Sequence, residues 1–376
     1  MMEPILNDLQ IQLRDSAKRL CKDFGGAVVY RQRHQHQGVT NAWQQIMKAG
    51  WTGLLVSDEH NGLGLGLYEL ALILDEAGQH LWHEPVAASC AGAYVLSKTN
   101  QSNHLKHVLE DGVMVLPVCV DVEDTYNNRQ SAPVLQNSGD HWVLNGLVRF
   151  VSFVNLESLL LISVIDEQGR HALVSLSAKA MGVLLTRHAR LDDSLVSDIE
   201  FKDVEIQSQD ILAWDDTAIQ LIEEMKTILR VGISAQLLGL SHAALEMTLE
   251  HLRIRKQFGK PLASFQALQH QCVNGYLDIE LNRSLLYRTS MAWDKHQSHP
   301  AMISALKART SRSALAITRS AVQLHGAMGY THEHNIGLYY KQAVVWASEQ
   351  GNDVYHAHRF SALTLNVEPF AWTTQS

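Results

Sequence analysis

The stretch LRVGISAQLLGLSHAA, Leu229 to Ala244, decides the fold. Leu229, Ile233, Leu237, Leu240 and Ala244 step by 4, 4, 3 and 4 residues, which stacks them on one face of an α-helix. Ile303, Leu306, Thr310, Ala314, Ile317, Ala321 and Leu324 follow the same rule, and two further helices fit between Phe265 and Trp293 and between Ile336 and Leu363. Four long helices joined by short loops predict a bundle.

Upstream of Trp214 the texture is different. Short β-type runs at Val113–Val120, His141–Leu144, Leu159–Ile165, Ala172–Ser177, Val183–Thr186 and Ile199–Ile206 alternate with turn signals such as Asn145-Gly146. That pattern predicts a small antiparallel, barrel-like β domain. Before it, Leu6 to Leu109 reads as helices, one running from Leu67 to Glu84 and stopped by Pro85. The expected class is therefore α+β: an N-terminal all-α domain over 1–112, a middle antiparallel β-barrel-like domain over 113–212 and a C-terminal four-helix bundle over 213–376.

Composition narrows the function. The 376 residues carry 31 Lys plus Arg against 39 Asp plus Glu, a formal charge of −8, which disfavours a nucleic-acid partner. With 46% hydrophobic and 19% charged residues the chain can bury a large core. Its longest uninterrupted apolar run is far shorter than the roughly 18 residues of a membrane helix, so no membrane is expected. The acidic start Met1-Met2-Glu3-Pro4 lacks the pattern of a signal peptide, and the expected location is cytoplasmic. Cys21, Cys90, Cys119 and Cys272 form no C-x-x-C pair and read as buried thiols.

Several chemistries can be set aside. Gly62-Leu63-Gly64-Leu65-Gly66 lacks the third glycine of a dinucleotide-binding turn and sits in no βαβ unit. The histidine pairs His34/His36, His332/His334 and His356/His358 are spaced i, i+2, which puts two imidazoles on opposite sides of a helix, so no metal site is expected. No G-x-S-x-G elbow supports a serine hydrolase.

Three motifs in the bundle carry the sharpest signal: Arg255-Lys256-Gln257-Phe258-Gly259, Phe265-Gln266-Ala267-Leu268-Gln269-His270, and Gln323-Leu324-His325-Gly326-Ala327-Met328-Gly329-Tyr330. Together, and in this order, they resemble the acyl-CoA dehydrogenase family, whose bundle carries R-x-x-F-G, F-Q-x-x-Q-H and Q-x-x-G-G-x-G-Y. Trp51-Thr52-Gly53-Leu54 through Glu69 is similar to that family's helical domain. Trp142 to Gly146 and Arg149-Phe150-Val151-Ser152 are similar to its β domain.

The resemblance implies an oxidoreductase on CH–CH groups that binds FAD and an acyl-CoA substrate. An arginine at a helix end can clamp a diphosphate through charge-assisted hydrogen bonds, and a Phe-Gly pair admits a flat ring. By resemblance Arg255, Phe258, Gln266, Gln323 and Gly326 hold FAD, reaching across to a neighbouring subunit. Phe150 packs on the flavin ring, and Ser152 bonds near its N5. A homo- or hetero-oligomer, a tetramer, and an electron-transferring flavoprotein as electron acceptor follow by the same implication. One departure stands out: where the family has T-E-P-x-x-G-S-D, this chain reads Val118-Cys119-Val120-Asp121-Val122-Glu123-Asp124-Thr125-Tyr126-Asn127.

The family's reaction needs a desolvated carboxylate to take the proton α to the thioester. The commonest family position for that base holds Gln350 here, followed by Gly351; two alternative positions hold Leu229 and Gln236. All three are uncharged, and an amide cannot accept the proton. Glu349 adjoins the vacant position and is the candidate substitute. Members acting on steroid side chains resemble this chain in the tail, Gly351 and then Tyr355-His356-Ala357-His358-Arg359-Phe360, and assemble from two different chains of which one can lack the base. Two readings follow: a dehydrogenase subunit of lipid or steroid catabolism, and a catalytically incomplete subunit that shares its cofactor. A flavin oxidase or monooxygenase is a third.

Overall fold

A computed structural model describes residues 6–32, 41–99, 101–119 and 133–365. Six helices come first: α1 (Asp8–Phe24), α2 (Gly26–Gln32), α3 (Asn41–Lys48), α4 (Leu67–Gln79), α5 (Val86–Ser97) and α6 (Ser102–Glu110). Eight strands follow: β1 (Val115–Val118), β2 (Val134–Asn137), β3 (Trp142–Ser152), β4 (Leu159–Asp166), β5 (His171–Ser177), β6 (Val183–Ala189), β7 (Leu195–Ile206) and β8 (Ile211–Trp214). Then come α7 (Asp215–Ile254), the two-residue strands β9 (Lys256–Gln257) and β10 (Lys260–Pro261), α8 (Gln266–Asp294), α9 (Pro300–Leu324), α10 (Ile336–Ser348) and α11 (Asp353–Leu365). The order helices, sheet, helices is the one the sequence predicts.

The chain forms two compact units. One comprises Met1–Arg31, Gly66–His83 and Arg230–Ser376; the other comprises Gln32–Leu65 and Glu84–Leu229.

The second unit is built on the sheet. Its strand order is β6-β7-β3-β2-β4-β5-β8, with β1 beside β4. The expectation of an antiparallel, barrel-like domain needs correction on two points. Both β1 and β2 run parallel to β4, and β6 and β8 are unjoined edges, so the described sheet is mixed and open. Leu159-Leu160-Leu161-Ile162 is buried without alternation, the mark of a strand covered on both faces. Helix α5 covers part of the sheet, where Gly92 comes so close that a Cβ would lie 2.5 Å from the Val115 side chain. The core of this unit gathers Leu116, Leu144, Leu160, Ile162, Val174, Ile199 and Phe201.

The first unit is helical. Tyr30, Leu81, Ile233, Leu237, Leu240, Ala314, Ile336, Ala343 and Trp346 share its core, so the face predicted on α7 is the buried one. By length and composition α7 could cross a bilayer, yet 83% of its apolar window is buried inside the protein, as in a core helix. Helices α4 and α7 cross at near-contact of their backbones: a Cβ on Gly239 would lie 1.8 Å from the Asp75 carbonyl oxygen, and one on Gly78 2.0 Å from that of Gln236. Asp294, at the end of α8, accepts from the Leu67 and Tyr68 N–H groups at 2.6 and 3.1 Å and so caps the start of α4.

Two helix boundaries differ from expectation. Helix α4 ends at Gln79 rather than Glu84, because Leu81 turns left-handed (φ 51°) and carries itself and Trp82 into the core; Pro85 caps α5 instead. The helix expected over Ile336–Leu363 is two, broken where Gln350 (φ 57°) and Gly351 (φ 93°) are both left-handed. Of the cysteines, Cys21, Cys90 and Cys272 are buried as read, whereas Cys119 is half-buried; none of the four is in a disulfide.

Candidate active site

The helical unit carries the bundle motifs at one end. Helix α7 stops at Ile254, and the chain turns back in a hairpin pairing Gln257 with Lys260 and Lys256 with Pro261, closed by the Leu262 N–H to the Arg255 carbonyl at 2.8 Å. Its two-residue loop is Phe258-Gly259, with φ of 52° and 79°. Positive φ at both central positions is the signature of the primed turn that matches strand twist. Asn-Gly is the usual occupant; here a phenylalanine takes the first position with its ring 88% exposed. Phe265 meets that ring edge-on at 6.2 Å, and Gln266, exposed, opens α8 directly after it.

Helix α9 ends beside this hairpin's root. The His325 Nδ1–H donates to the Ala321 carbonyl at 2.8 Å, Gly326 turns left-handed (φ 61°), and a 3-10 turn runs from Gly326 to Tyr330. The two glycines of this motif have different causes. Gly326 is required by its φ, whereas a Cβ on Gly329 would fall 2.4 Å from the Val322 carbonyl oxygen. Gln323 and Gly326 are exposed, and nothing lies within 4 Å of the space a Gly326 Cβ would fill.

Three imidazoles lock the two ends together. His251 on α7 stacks on His325 at 4.4 Å between ring centroids, and His325 lies 4.6 Å from His334. Burial pushes all three pKa values below the ordinary histidine range; for His251 the neighbouring His325 and His334 and then Arg255 push the same way. His334 Nδ1 accepts the Ile336 N–H at 3.2 Å and so serves as a cap. Among the described residues no group of three His, Cys, Asp or Glu side chains is arranged to hold a metal ion.

A guanidinium, the N–H groups of two side-chain amides and a glycine with open space beside it offer donors suited to the diphosphate of a dinucleotide. The bare ring of Phe258 suits a flat heterocycle. Arg255, Phe258, Gln266, Gln323 and Gly326 therefore fit FAD. The stacking of His251, His325 and His334 that joins the ends of α7 and α9 was not visible in the sequence.

Phe150 and Ser152 belong to the sheet unit. Phe150 is left-handed (φ 59°) with its ring 64% exposed, and its N–H donates to Asp198 Oδ1 at 3.1 Å. Ser152, two residues on and half-buried, pairs with Val196. Of the departing segment that follows β1, residues 120–127 lie outside the described residues.

Gln350, where the sequence reading looks for the base, lies in the break between α10 and α11. Gln350 is exposed, and its carbonyl accepts the His356 Nε2–H at 2.7 Å. Gly351's carbonyl accepts from Lys307 Nζ at 2.9 Å, which also bonds the Ala347 carbonyl at 3.0 Å and Ser311 Oγ at 2.8 Å. Lys307 and His356 have no exposed surface. Burial pushes the lysine pKa down to about 7, opposed chiefly by the Glu349 charge, and the His356 pKa down to about 3. Glu349, half-buried, ends α10, and its N–H bonds the Val345 carbonyl at 3.3 Å. Leu229 is half-buried, whereas Gln236 is buried. Sequence reasoning missed Lys307 and His356. A signal existed for the lysine, which falls on the apolar face of α9 between Ile303 and Thr310.

Comparison with known proteins places the chain. Residues 7–100 match the family model described as the acyl-CoA dehydrogenase N-terminal domain, and residues 219–359 match its C-terminal domain, together more than half of the chain. The short-chain specific acyl-CoA dehydrogenase of Mus musculus mitochondria is 23% identical over 333 residues, 82% of this chain and 79% of that one. Two solved structures share the fold. The Tcur3481–Tcur3483 steroid ACAD variant has a TM-score of 0.84 at 22% identity, covering 96% of this chain and 98% of the other. The ChsE4–ChsE5 complex from Mycobacterium tuberculosis has a TM-score of 0.86 at 17% identity and covers 97% of this chain and 100% of the other.

Proposed function

The chain belongs to the acyl-CoA dehydrogenase family, oxidoreductases acting on CH–CH groups, and from that premise we propose that it is a FAD-holding subunit that does not itself supply the catalytic base. Bound FAD would supply the hydride acceptor for oxidation next to a thioester carbonyl. The residues of this chain do the rest of its part: Arg255, Gln266, Gln323 and Gly326 donate to the diphosphate, Phe258 covers a ring, and Phe150 and Ser152 meet the flavin. Such a subunit works on an acyl-CoA in an oligomer, a tetramer, with an electron-transferring flavoprotein as acceptor. The ChsE4–ChsE5 complex, a chain of which shares this fold, is a precedent for a separate partner.

The observation that carries the reading is the turn at Gln350. Two buried side chains pin its backbone, and by the resemblance Gln350 takes the place of the family's carboxylate. Glu349 adjoins it, and its charge raises the Lys307 pKa against the effect of burial. A subunit with an amide at that place can grip cofactor and acyl chain, yet it has no group to take the α proton.

Expression of the chain alone, with bound FAD measured per chain and anaerobic bleaching followed over a panel of acyl-CoA thioesters, tests this. The expected result is FAD without bleaching, and bleaching in Gln350→Glu or on addition of a base-bearing partner chain. Bleaching by the unaltered chain, abolished in Glu349→Gln, would instead make Glu349 the base.

A further inference from the structure

Along β3 and β7 the register runs Val148↔Ile199 and resumes at Val151↔Ser197. Arg149 and Phe150 thus face the single residue Asp198. Two residues against one is a β-bulge, which bends the strand, re-aims a side chain and leaves one N–H without a ladder partner. Phe150 is left-handed at φ 59°, a backbone that is strained for any side chain and most for a bulky one. Its ring is mostly exposed, so core packing does not hold it there. The visible restraint is Asp198, whose Oδ1 accepts the Phe150 N–H at 3.1 Å. Its Oδ2 lies 3.3 Å from His188 Nε2 on the edge strand β6.

Aspartate is depleted in strands, and a residue in regular register has no use for a carboxylate, since backbone carbonyls satisfy the facing N–H groups. Here the carboxylate replaces the carbonyl that the bulge removes. We propose that Asp198 is a positioning residue: it fixes the strained bulge and so sets the direction in which Phe150 presents its ring to the flavin, with His188 steadying the second oxygen. This rests on the reading of Phe150 as the flavin-facing aromatic.

The test uses the full chain labelled with 4-fluorophenylalanine, the Phe150 fluorine resonance being assigned by its loss in Phe150→Leu. Asp198→Ala is expected to shift and broaden that resonance, whereas Asp198→Asn, which keeps an oxygen acceptor, leaves it in place. In FAD titrations Asp198→Ala raises the Kd roughly three- to tenfold, the size of one hydrogen bond, and Asp198→Asn changes it less than about twofold. In the Phe150→Leu background Asp198→Ala has no further effect. An unmoved resonance in Asp198→Ala, or equal changes in Kd in both backgrounds, overturns the proposal. If the resonance behaves as stated while the unaltered chain takes up no FAD, Asp198 still sets the ring's direction and the flavin assignment is what fails.

Discussion

Replacing Lys307 with methionine asks whether a buried amine organises the turn at Gln350. The side chain has no exposed surface, and its nitrogen reaches three oxygens between 2.8 and 3.0 Å, two of them carbonyls of Ala347 and Gly351. Burial pushes its pKa down to about 7, with Glu349 and Asp353 opposing and Arg230 reinforcing. An unfolded lysine titrates near about 10.4, so between the two values the unfolded chain holds a proton that the folded chain has released. Stability therefore rises with pH across that window by up to about 1.4 kcal/mol per unit. The contribution is complete above the unfolded value and is lost as pH falls to about 7. Methionine fills similar space without titrating, so the slope disappears. Near neutrality Lys307→Met also leaves two buried carbonyls without a donor, about 1–3 kcal/mol each, partly offset by removing a half-charged buried amine. Urea unfolding of both proteins at about pH 7, 8 and 9 gives the difference, which should widen by about 1.4 kcal/mol per unit. Ionisations of tyrosine and cysteine are common to both proteins and cancel. A difference constant within about 0.5 kcal/mol over that range would refute a buried, titrating Lys307.

Other perturbations follow from the same geometry. Gly351→Ala places a Cβ 2.5 Å from Tyr355 and 2.9 Å from His356 Nε2 at a φ of 93°; it should cost about 2–4 kcal/mol in denaturant unfolding, and a cost under about 1 kcal/mol would mean the turn is not fixed. His251, His325, His334 and His356 are all depressed, so their contribution is present above the unfolded pKa of about 6.5 and is lost as pH falls toward the folded values. The thermal midpoint should drop on acidification below about pH 6.5, and His356→Gln should flatten that limb; an identical acid limb counts against burial of His356 as its cause. Phe258→Asn installs the favoured Asn-Gly turn and should stabilise the chain by about 0.5–1 kcal/mol while loosening bound FAD; unchanged FAD retention on gel filtration would remove the Phe258 ring from the site.

How far the sequence could be read depended on the range of the forces involved. Helix faces such as Ile233-Leu237-Leu240 were legible because periodicity is local and burial enforces it. Strand direction was not: whether Leu159–Ile165 pairs parallel depends on partners tens of residues away, and a short apolar run is silent on that. The break at Gln350 was hidden for a related reason, since Gly351 alone does not stop a helix pattern; it takes Lys307 and His356, distant in sequence, to hold two left-handed residues in line. Motif spacing singled out Arg255 and Gln323 as candidate donors. Only tertiary packing shows that His251, His325 and His334 join them.

Backbone strain marks the same places independently of any motif. Ten described non-glycine residues have positive φ, and five are Asn, Asp or His, which tolerate it. The other five are Leu81, Phe150, Phe153, Phe258 and Gln350. Leu81 is offset by burial, since its side chain is 3% exposed in the helical core. Phe153 packs against the sheet core, one residue beyond Ser152. Phe150, Phe258 and Gln350 have no such offset, with the two rings 64% and 88% exposed and the amide in solvent. Each costs about 1 kcal/mol or more, against a total stability of about ten times that for a typical domain. Strain that neither burial nor an Asx-type side chain relieves persists where the surroundings over-determine it, and for two of these residues the restraint is visible: Asp198 for Phe150, Lys307 and His356 for Gln350. For Phe258 the restraint is the hairpin itself, whose two-residue loop imposes the left-handed backbone while Phe265 meets the ring edge-on at 6.2 Å; under the proposed function the ring's exposed face is the one a cofactor would cover.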